Sequence, residues 1–232
     1  MNYFRLILRK DTCILYFSLP PILEAKRKNW TKSKKINLNI AQKLYKSTLN
    51  KIKKTKLPFV VMDEFTPSRN TFGTNITQAI EQVFTAGYQH LIVVGNDCPD
   101  ISIKDMLIAN EHLKSSNHTI GLTKDGGSFL FTISKKTWNA SAFAALPWCS
   151  NQLGTSLQVL LEKENSVAQL NMKVDIDLLR DIQYLINCLQ SSFSHFLKEI
   201  FSTHTVFPYY FSTVVHLGKT TIARRGPPIS TL

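Results

Sequence analysis

The sequence has few of the residues that mark disulfide-rich or fibrous proteins. Its 232 residues include four cysteines, nine glycines and nine prolines, which excludes a disulfide scaffold and a collagen-like or low-complexity chain. The cysteines are far apart and form no CxxC pair, so a structural zinc site is not expected. We expect buried thiols that pack as small hydrophobic side chains, with a catalytic thiol as the alternative.

Long hydrophobic runs are missing as well. No stretch approaches the roughly 20 apolar residues that span a bilayer, and the nearest, residues 207–217, is interrupted by polar side chains. The apolar part of the first ten residues is too short and too broken by charge for a signal peptide. These features predict a cytoplasmic protein without a transmembrane segment.

Acidic residues are scarce in the first quarter of the chain. Residues 1–60 hold 15 of the 28 Lys and Arg residues but only two of the 16 acidic ones, so they carry the whole formal net charge of +12. Apolar residues recur at helical spacing across 36–54, which predicts a helix with lysines on its solvated faces. We find no interleaved aromatics and no nucleic-acid-binding module, so a nucleic acid is not an expected partner.

The chain does contain regular strand and helix patterns. A continuous β-branched run at 90–94 is typical of a strand buried on both faces of a parallel sheet. The order of elements predicts a three-layer, Rossmann-like α/β fold with a mostly parallel sheet, whose ligand would lie beyond the carboxyl ends of the strands. The predicted strands are 12–19, 57–62, 90–94, 118–122 and 128–134, and the predicted helices are 36–54, 74–86, 102–113 and 155–164.

Two carboxylates follow the central predicted strand. Asp97 and Asp100 come directly after a Gly-Asn turn, where a rigid element holds them at the mouth of the expected crevice. Carboxylate oxygens in this place suit Mg²⁺ or Mn²⁺, which would hold a diphosphate. The alternative is an ordinary loop whose aspartates cap the next helix.

A second acidic pair lies in the segment 174–178. Alternation places Asp175 and Asp177 on one face of an extended segment, opposite Val174 and Ile176. One of these carboxylates would complete a divalent cation site if it reached the Asp97 loop. An exposed edge strand followed by a helix is the alternative.

Two further loops suit contacts with a ligand. In the turn 125–127, the glycines permit positive φ or a close approach of a ligand to the main chain, although most such turns only connect strands. The segment 70–74 is a phosphate- or sugar-contacting loop or a simple helix cap. Lys26, Arg27 and Lys28 follow the first strand, where many α/β folds hold phosphates.

Three motifs together resemble a known family. Val94-Gly-Asn-Asp-Cys-Pro-Asp-Ile101, Asp125-Gly-Gly127 and Val174-Asp-Ile-Asp-Leu178 resemble, in order and spacing, the bacterial domain of unknown function 2064 family. This family is also called selenodomain-associated transferase 1, and it is similar to nucleotide-diphospho-sugar transferases of the glycosyltransferase-A type. The resemblance covers about residues 12–186, and the phrases at 70–73 and 225–228 look like features of one branch.

The resemblance implies a nucleotide-binding sheet, a divalent cation (Mg²⁺ or Mn²⁺) and a set of site residues. Trp148 would stack on a ring of the substrate or simply pack. The implied residues are Asp97 and Asp125 as catalytic groups, Asp97, Asp100 and Asp175 as metal ligands, Lys26, Arg27 and Asn96 as nucleotide contacts, and Gly126, Gly127 and Trp148 as substrate contacts.

The chain departs from the family in one loop. Typical members have a glycine-containing basic loop around Lys-Thr-Arg after the first strand, whereas residues 18–28 contain no glycine. Either Lys26 and Arg27 replace that loop, or donor binding is altered or lost. The expected function is a metal-dependent transferase acting on a nucleotide-activated sugar, with glycosyl transfer favoured over nucleotidyl transfer. The alternative is a catalytically degenerate nucleotide- or sugar-binding module.

The carboxyl-terminal part has a different composition. We expect residues 1–186 to form the glycosyltransferase-A-like domain and 187–232 a helical and flexible extension. Apolar residues between 193 and 201 predict an amphipathic helix, which packs on the body or on a second subunit as a homodimer. The basic segment 224–228 is expected to be a mobile tail.

Overall fold

The structure, a computed structural model, describes residues 11–63, 71–163, 165–188 and 191–203. Asn70, the apolar segment 207–217 and the basic segment 224–228 lie outside these residues.

Strands and helices alternate along most of the described chain. The strands are β1 (Thr12–Phe17), β2 (Phe59–Met62), β3 (His90–Val94), β4 (His118–Leu122), β5 (Ser128–Ser134) and β6 (Val167–Gln169). The helices are α1 (Pro21–Lys28), α2 (Lys34–Lys54), α3 (Phe72–Thr85), α4 (Ile103–Lys114), α5 (Ala140–Ala144), α6 (Leu153–Glu162), α7 (Leu179–Cys188) and α8 (Ser192–Thr203), with one 3₁₀ turn at Lys135–Thr137.

The six strands form one sheet in the order β2-β1-β3-β5-β4-β6. β1 is parallel to β2 and β3, β4 is parallel to β6, and β5 is antiparallel to both of its neighbours. Five strands therefore point the same way, and the carboxyl ends of β1, β3 and β4 lie at one edge of the sheet. The predicted three-layer, mostly parallel α/β fold is confirmed.

Helices cover both faces of this sheet. On one face, α3, α5 and α6 pack on alternate residues of β1, β3 and β5, such as Leu15, Val93 and Phe131. On the other face, α2 and α4 pack on the residues between them, such as Ile14 and Ile92. Burial on both faces explains why β1 and β3 are continuous apolar runs.

The last two helices join α2 in a third apolar cluster. Leu185 of α7 and Leu197 of α8 are buried against Ile40 and Leu44 of α2. Phe193 and Phe201 are buried in the same cluster. The apolar face of α8 was predicted to pack either on the body of the chain or on a second subunit. In the described structure it packs on α2 and α7 of the same chain, which gives no support to a homodimer through this helix.

Some short elements are added to the predicted ones. The charged segment after the first strand, expected to be a loop or the start of a helix, forms α1, and Pro21 is tolerated at its first position because the first turn of a helix leaves its amides without intrahelical partners. The short elements α5 and β6 were not predicted, since three to five residues are too few to show a periodicity. Within the described ranges, no helix combines the length and the apolar character that a membrane crossing requires.

Candidate functional site

A cleft opens at the edge of the sheet where β1, β3 and β4 end. Its volume is about 160 Å³. Residues from the ends of these strands line it, together with the carboxyl end of α1 and the segment before α7. The polar and charged lining residues are Ser18, Glu24, Arg27, Lys28, Asn96, Asp97, Thr123, Asp125, Ser128, Ser150, Asp175 and Asp177.

The loop after β3 places Asn96 and Asp97 in the cleft. The Gly95 amide donates to the Phe129 carbonyl at 3.2 Å, which holds the loop against the adjacent strand. Asn96 is buried, and the Asp97 side chain is about a third exposed (32%). Because β3 lies in the centre of the sheet, it holds the backbone of Asp97 in a fixed position.

Asp100, in contrast, does not line the cleft. Its carbonyl accepts a hydrogen bond from Lys173 at 2.9 Å. The cap of α4 is made by Ser102 and Asp105 in a reciprocal capping box. The alternative prediction, that Asp97 or Asp100 caps the helix after this loop, is therefore wrong.

The segment before α7 brings two more carboxylates into the cleft. Ile176 is fully buried in the third apolar cluster, so the residues on either side of it, Asp175 and Asp177, face the opposite way. The Ile176 amide donates to the Asp97 carbonyl at 2.9 Å, and its carbonyl accepts from Trp30 Nε1 at 3.1 Å. These two bonds tie the acidic pair to the β3 loop, so the segment is not an exposed edge strand.

The turn between β4 and β5 contributes Asp125. Its Oδ1 accepts hydrogen bonds from the Thr123 hydroxyl at 2.5 Å and the Gly127 amide at 3.0 Å. Gly126 has a φ of +95°, and a Cβ there would lie 2.0 Å from the Asn151 carbonyl oxygen. The turn therefore requires glycine at this position, because the loop before α6 packs directly on it.

Three of these carboxylates lie close enough to share one cation. Ligand oxygens of Asp125, Asp175 and Asp177 all lie within 4.8 Å of one another. Carboxylate oxygens are the ligands that Mg²⁺ and Mn²⁺ prefer. The donor set therefore fits a divalent cation, but it differs from the predicted set of Asp97, Asp100 and Asp175, since Asp100 is elsewhere and Asp177 is present.

Basic side chains enter the cleft from α1. Lys28 Nζ donates to Asp97 Oδ2 at 3.2 Å and also to Asp177 Oδ1, and the Lys28 side chain is only 4% exposed. Arg27 pairs with the buried Glu24 at 2.9 Å. Lys26 is exposed and does not line the cleft. Of the basic residues after β1, the structure thus brings Arg27 and Lys28 to the acidic group.

Burial and crowding shift the proton affinities of the acids. The pKa of Asp175 is raised to about 9 by burial and by the neighbouring carboxylates of Asp97, Asp125 and Asp177. Burial also raises the pKa of Asp177, although Lys28 opposes this. Burial alone would raise the pKa of Asp97 too, but Lys28 and Arg27 bring it below its usual value. In the metal-free cleft, the surroundings thus favour the protonated form of Asp175 and the ionised form of Asp97, and a bound cation would favour ionisation of Asp175 as well.

Trp148 lies at the aromatic side of the cleft. Its ring centroid is 5.4 Å from that of Phe72 and 5.1 Å from that of Phe143. Its Nε1 donates to the Phe143 carbonyl at 2.9 Å, so the indole N–H is already used. The described contacts are those of a packing residue that also forms part of the cleft wall.

The structure therefore gathers most of the predicted site residues at one place. Seven of them line the cleft: Arg27, Asn96, Asp97, Asp125, Gly127, Trp148 and Asp175. Gly126 lies in the turn that carries Asp125. Two of them, Lys26 and Asp100, lie outside the cleft. Lys28 and Asp177 also line it, but the predicted ligand and contact sets omitted them. The alternation at 174–178 was the signal for Asp177, whereas no local pattern shows which of three consecutive basic residues turns inward. The roles of all these residues stay predictions.

The resemblance to the family is confirmed over the middle of the chain. Residues 46–150 match the model of a family described as uncharacterized proteins conserved in bacteria (DUF2064). No curated protein is significantly similar to the chain in sequence.

The fold is shared with solved structures. A protein of Desulfovibrio desulfuricans G20 that has been assigned as a nucleotide-diphospho-sugar transferase superposes with a TM-score of 0.64 at 18% identity, covering 82% of this chain and 94% of that one. Rv0371c of Mycobacterium tuberculosis H37Rv, solved in complex with manganese, is more distant. Its TM-score is 0.42 at 10% identity, with 77% of this chain and 100% of that one covered. At these identities, the first similarity establishes the fold.

Proposed function

We propose that the protein is a metal-dependent transferase that acts on a nucleotide-activated sugar. One observation carries the proposal: the cleft at the carboxyl edge of the sheet holds a carboxylate triad, Asp125, Asp175 and Asp177, whose oxygens lie within 4.8 Å of one another. A fourth carboxylate, Asp97, follows the central strand in the same cleft. This is the position at which open α/β sheets bind their ligands.

The acidic group would hold Mg²⁺ or Mn²⁺. Asp125, Asp175 and Asp177 are the proposed ligands, with Asp97 adjacent, and Asp100 is left out because it lies outside the cleft. The cation supplies positive charge that stabilises the diphosphate of the donor as its bond breaks. Asp125 and Asp177 come from different segments of the chain, so folding itself assembles the site.

The protein groups around the acids suit an activated nucleotide. Arg27 lines the cleft with a side chain that is 38% exposed, and guanidinium groups bind phosphates in a bidentate manner. Asn96 offers an amide beside Asp97. A cleft of about 160 Å³ is smaller than the roughly 300–1,000 Å³ of pockets that enclose whole ligands. We therefore expect the diphosphate to lie inside it and the base and sugar to extend outward.

Binding and product analysis test this function. UDP-, GDP- and CDP-linked sugars and free nucleoside triphosphates are titrated calorimetrically into the protein with Mn²⁺ and with chelator. We expect binding of at least one donor that requires Mn²⁺, and loss of about tenfold or more in affinity for Asp177→Asn, since removal of one charged ligand weakens such a site. Asp100→Asn is the matched control, because it removes an acid from the same region outside the cleft, and it should bind like the wild type.

The products then decide between two reactions. Glycosyl transfer, which the family resemblance favours, releases a nucleoside diphosphate from a sugar donor, whereas nucleotidyl transfer releases pyrophosphate from a triphosphate. The proposed function is refuted if the intact protein binds none of these compounds with or without Mn²⁺.

A catalytically degenerate binding module is the second candidate. It is favoured by the lack of glycine in residues 18–28 and by the ion pairs of Lys28, whose single positive charge is already shared by two of the cleft carboxylates. This candidate predicts nucleotide or sugar affinity that is the same in Mn²⁺ and in chelator, with no product from any donor.

A further inference from the structure

We propose that the Lys28 ammonium is a resident counter-ion of the four cleft carboxylates, Asp97, Asp125, Asp175 and Asp177. A divalent cation must displace this ammonium from Asp177 in order to bind. The inference rests on the proposed metal site, and it assigns to Lys28 a role in setting the affinity of that site. Lys28 is a positioning residue in this scheme, since it acts through the carboxylates.

The position of Lys28 is built into the fold. Lys28 is the last residue of α1, and Asn29 after it adopts a left-handed conformation with φ of 46° that ends the helix. The next residue, Trp30, is buried and hydrogen-bonded to the Ile176 carbonyl, between the two aspartates. The chain around Lys28 is therefore fastened to the segment that carries Asp177.

The contacts of Lys28 are those of a cation enclosed by acids. Its Nζ donates to Asp97 and Asp177, which come from two different segments of the chain, and its side chain is 4% exposed. Among the residues that the structure describes, Lys28 is the one lysine that lines the cleft. Arg27, the other base there, is paired with Glu24 instead.

Asp177 belongs both to the ion pairs of Lys28 and to the carboxylate triad. It is a partner of Lys28 and also one of the three carboxylates that lie within 4.8 Å of one another. A divalent cation bound to the triad would therefore lie next to the ammonium, and two cations at such a separation repel strongly in a partly buried site. The two are expected to exclude each other from Asp177.

This exclusion has two consequences. Without metal, Lys28 reduces the repulsion among the cleft carboxylates and so stabilises the folded protein. With metal, the ammonium is released from Asp177, and its amine becomes accessible to reagents. The competition for Asp177 and the release of the amine can be measured without any enzymatic assay.

The first experiment follows Mn²⁺ binding by calorimetry and by the electron paramagnetic resonance signal of free Mn²⁺. Lys28→Met removes the charge and keeps the length of the side chain, and we expect it to bind Mn²⁺ about tenfold more tightly or better than the wild type. Lys28→Arg keeps the charge and should stay near the wild-type affinity. Arg27→Met removes the same charge from the same cleft without touching Asp177, so its gain should be clearly smaller.

The outcomes separate this inference from the proposed function. Equal Mn²⁺ affinity in wild type and Lys28→Met overturns the inference and leaves the metal site standing. Binding by Lys28→Met alone supports the inference and refutes metal dependence in the wild type. Absence of binding in every variant overturns both.

A second experiment needs no substitution and remains decisive if Lys28→Met does not fold. Lysines of the wild-type protein are acetylated with and without saturating Mn²⁺, and the rates are read by mass spectrometry. We expect the rate at Lys28 to rise severalfold with Mn²⁺. Lys173, which is 15% exposed and paired with Asp105 outside the cleft, should keep its rate. An unchanged rate at Lys28 in Mn²⁺ that demonstrably binds would overturn the inference.

Discussion

Asp175 lies in an environment that strongly disfavours its ionised form. Its pKa is raised to about 9 because it is half-buried beside three other carboxylates. Below the pKa of an unfolded aspartate, about 4, both the folded and the unfolded chain hold the proton. Between about 4 and 9 only the folded chain holds it, so this group makes the protein less stable as the pH rises through that window.

Replacement of Asp175 by asparagine removes this pH dependence. Asparagine stays neutral, so we expect Asp175→Asn in metal-free buffer to be more stable than the wild type at pH 8 by about 1 kcal/mol or more, with the two converging near pH 4. Thermal unfolding across this pH range, with chelator present, measures the difference. A variant whose stability follows the wild type in parallel at every pH would contradict the proposed crowding of carboxylates.

The site residues differ in how far their positions could be predicted from the neighbouring sequence. Asp97 was predictable because it follows the central strand directly. Lys28 was not, since Lys26, Arg27 and Lys28 have equivalent local sequences and only the last has its side chain enclosed between Asp97 and Asp177. The partner of a buried charge is decided by chain segments that meet only after folding.

Among the elements, the turn between β4 and β5 joins two functions. It closes the hairpin, and it presents Asp125 to the cleft through hydrogen bonds from Thr123 and Gly127. Gly126 allows the turn to approach the loop before α6. In the first turn of α6, the Gly154 amide donates to the Gly126 carbonyl at 2.8 Å. The position of Asp125 therefore depends on a glycine that carries no chemistry itself.

Gly126→Ala tests this dependence. The added Cβ meets a backbone oxygen at 2.0 Å in a conformation with positive φ, so we expect a loss of about 2 kcal/mol or more in the free energy of unfolding. Urea unfolding measures the loss. Gly95→Ala, whose nearest contact is the Asp97 side chain at 3.3 Å, is the control and should cost clearly less. Similar losses in both variants would argue against the close contact of the turn with the Asn151 loop.

The strands were largely predictable as elements. The bounds of β3, β4 and β5 agree with the predicted 90–94, 118–122 and 128–134, because short segments rich in apolar and β-branched residues, bounded by turn residues, indicate strands. The antiparallel direction of β5 was not specified. It follows from the five-residue connection to β4, which is too short for the crossover that a parallel neighbour requires.

At the scale of the whole molecule, α2 links the sheet to the last two helices. Ile52 of α2 packs against the sheet, whereas Ile36, Ile40 and Leu44 pack in the cluster that also contains α7 and α8. The division at residue 186 stays a prediction. It does not coincide with a break in packing, because α7 and α8 are buried together against α2.

Leu197→Ala tests whether α8 contributes to the stability of the body. Leu197 is fully buried in the third cluster, and such truncations cost about 2–5 kcal/mol. We expect one cooperative unfolding transition that moves to lower urea concentration, followed by both circular dichroism and tryptophan fluorescence. Lys198→Ala, on the exposed face of the same helix, should leave the transition nearly unchanged. A separate early transition in Leu197→Ala, with the main one unmoved, would show that α8 is an independent extension.

The net charge of the molecule also has a structural explanation. Exposed lysines line the outer face of α2, and its inner face is buried. The predicted solvated helix is therefore present. Of the basic residues described before residue 60, Arg27 and Lys28 line the cleft and the others do not.

The sequence by itself determined the α/β architecture, the central strands and the acidic residues that follow them. These features depend on periodicity and on the direction of a strand, which a short stretch of chain already expresses. The tertiary structure alone decided which acids form the triad, that Asp100 stays outside it, and that Lys28 lies between Asp97 and Asp177. The physical reason is that charge pairing acts over a few ångströms in space, and the partners here are 69 and 149 residues apart along the chain.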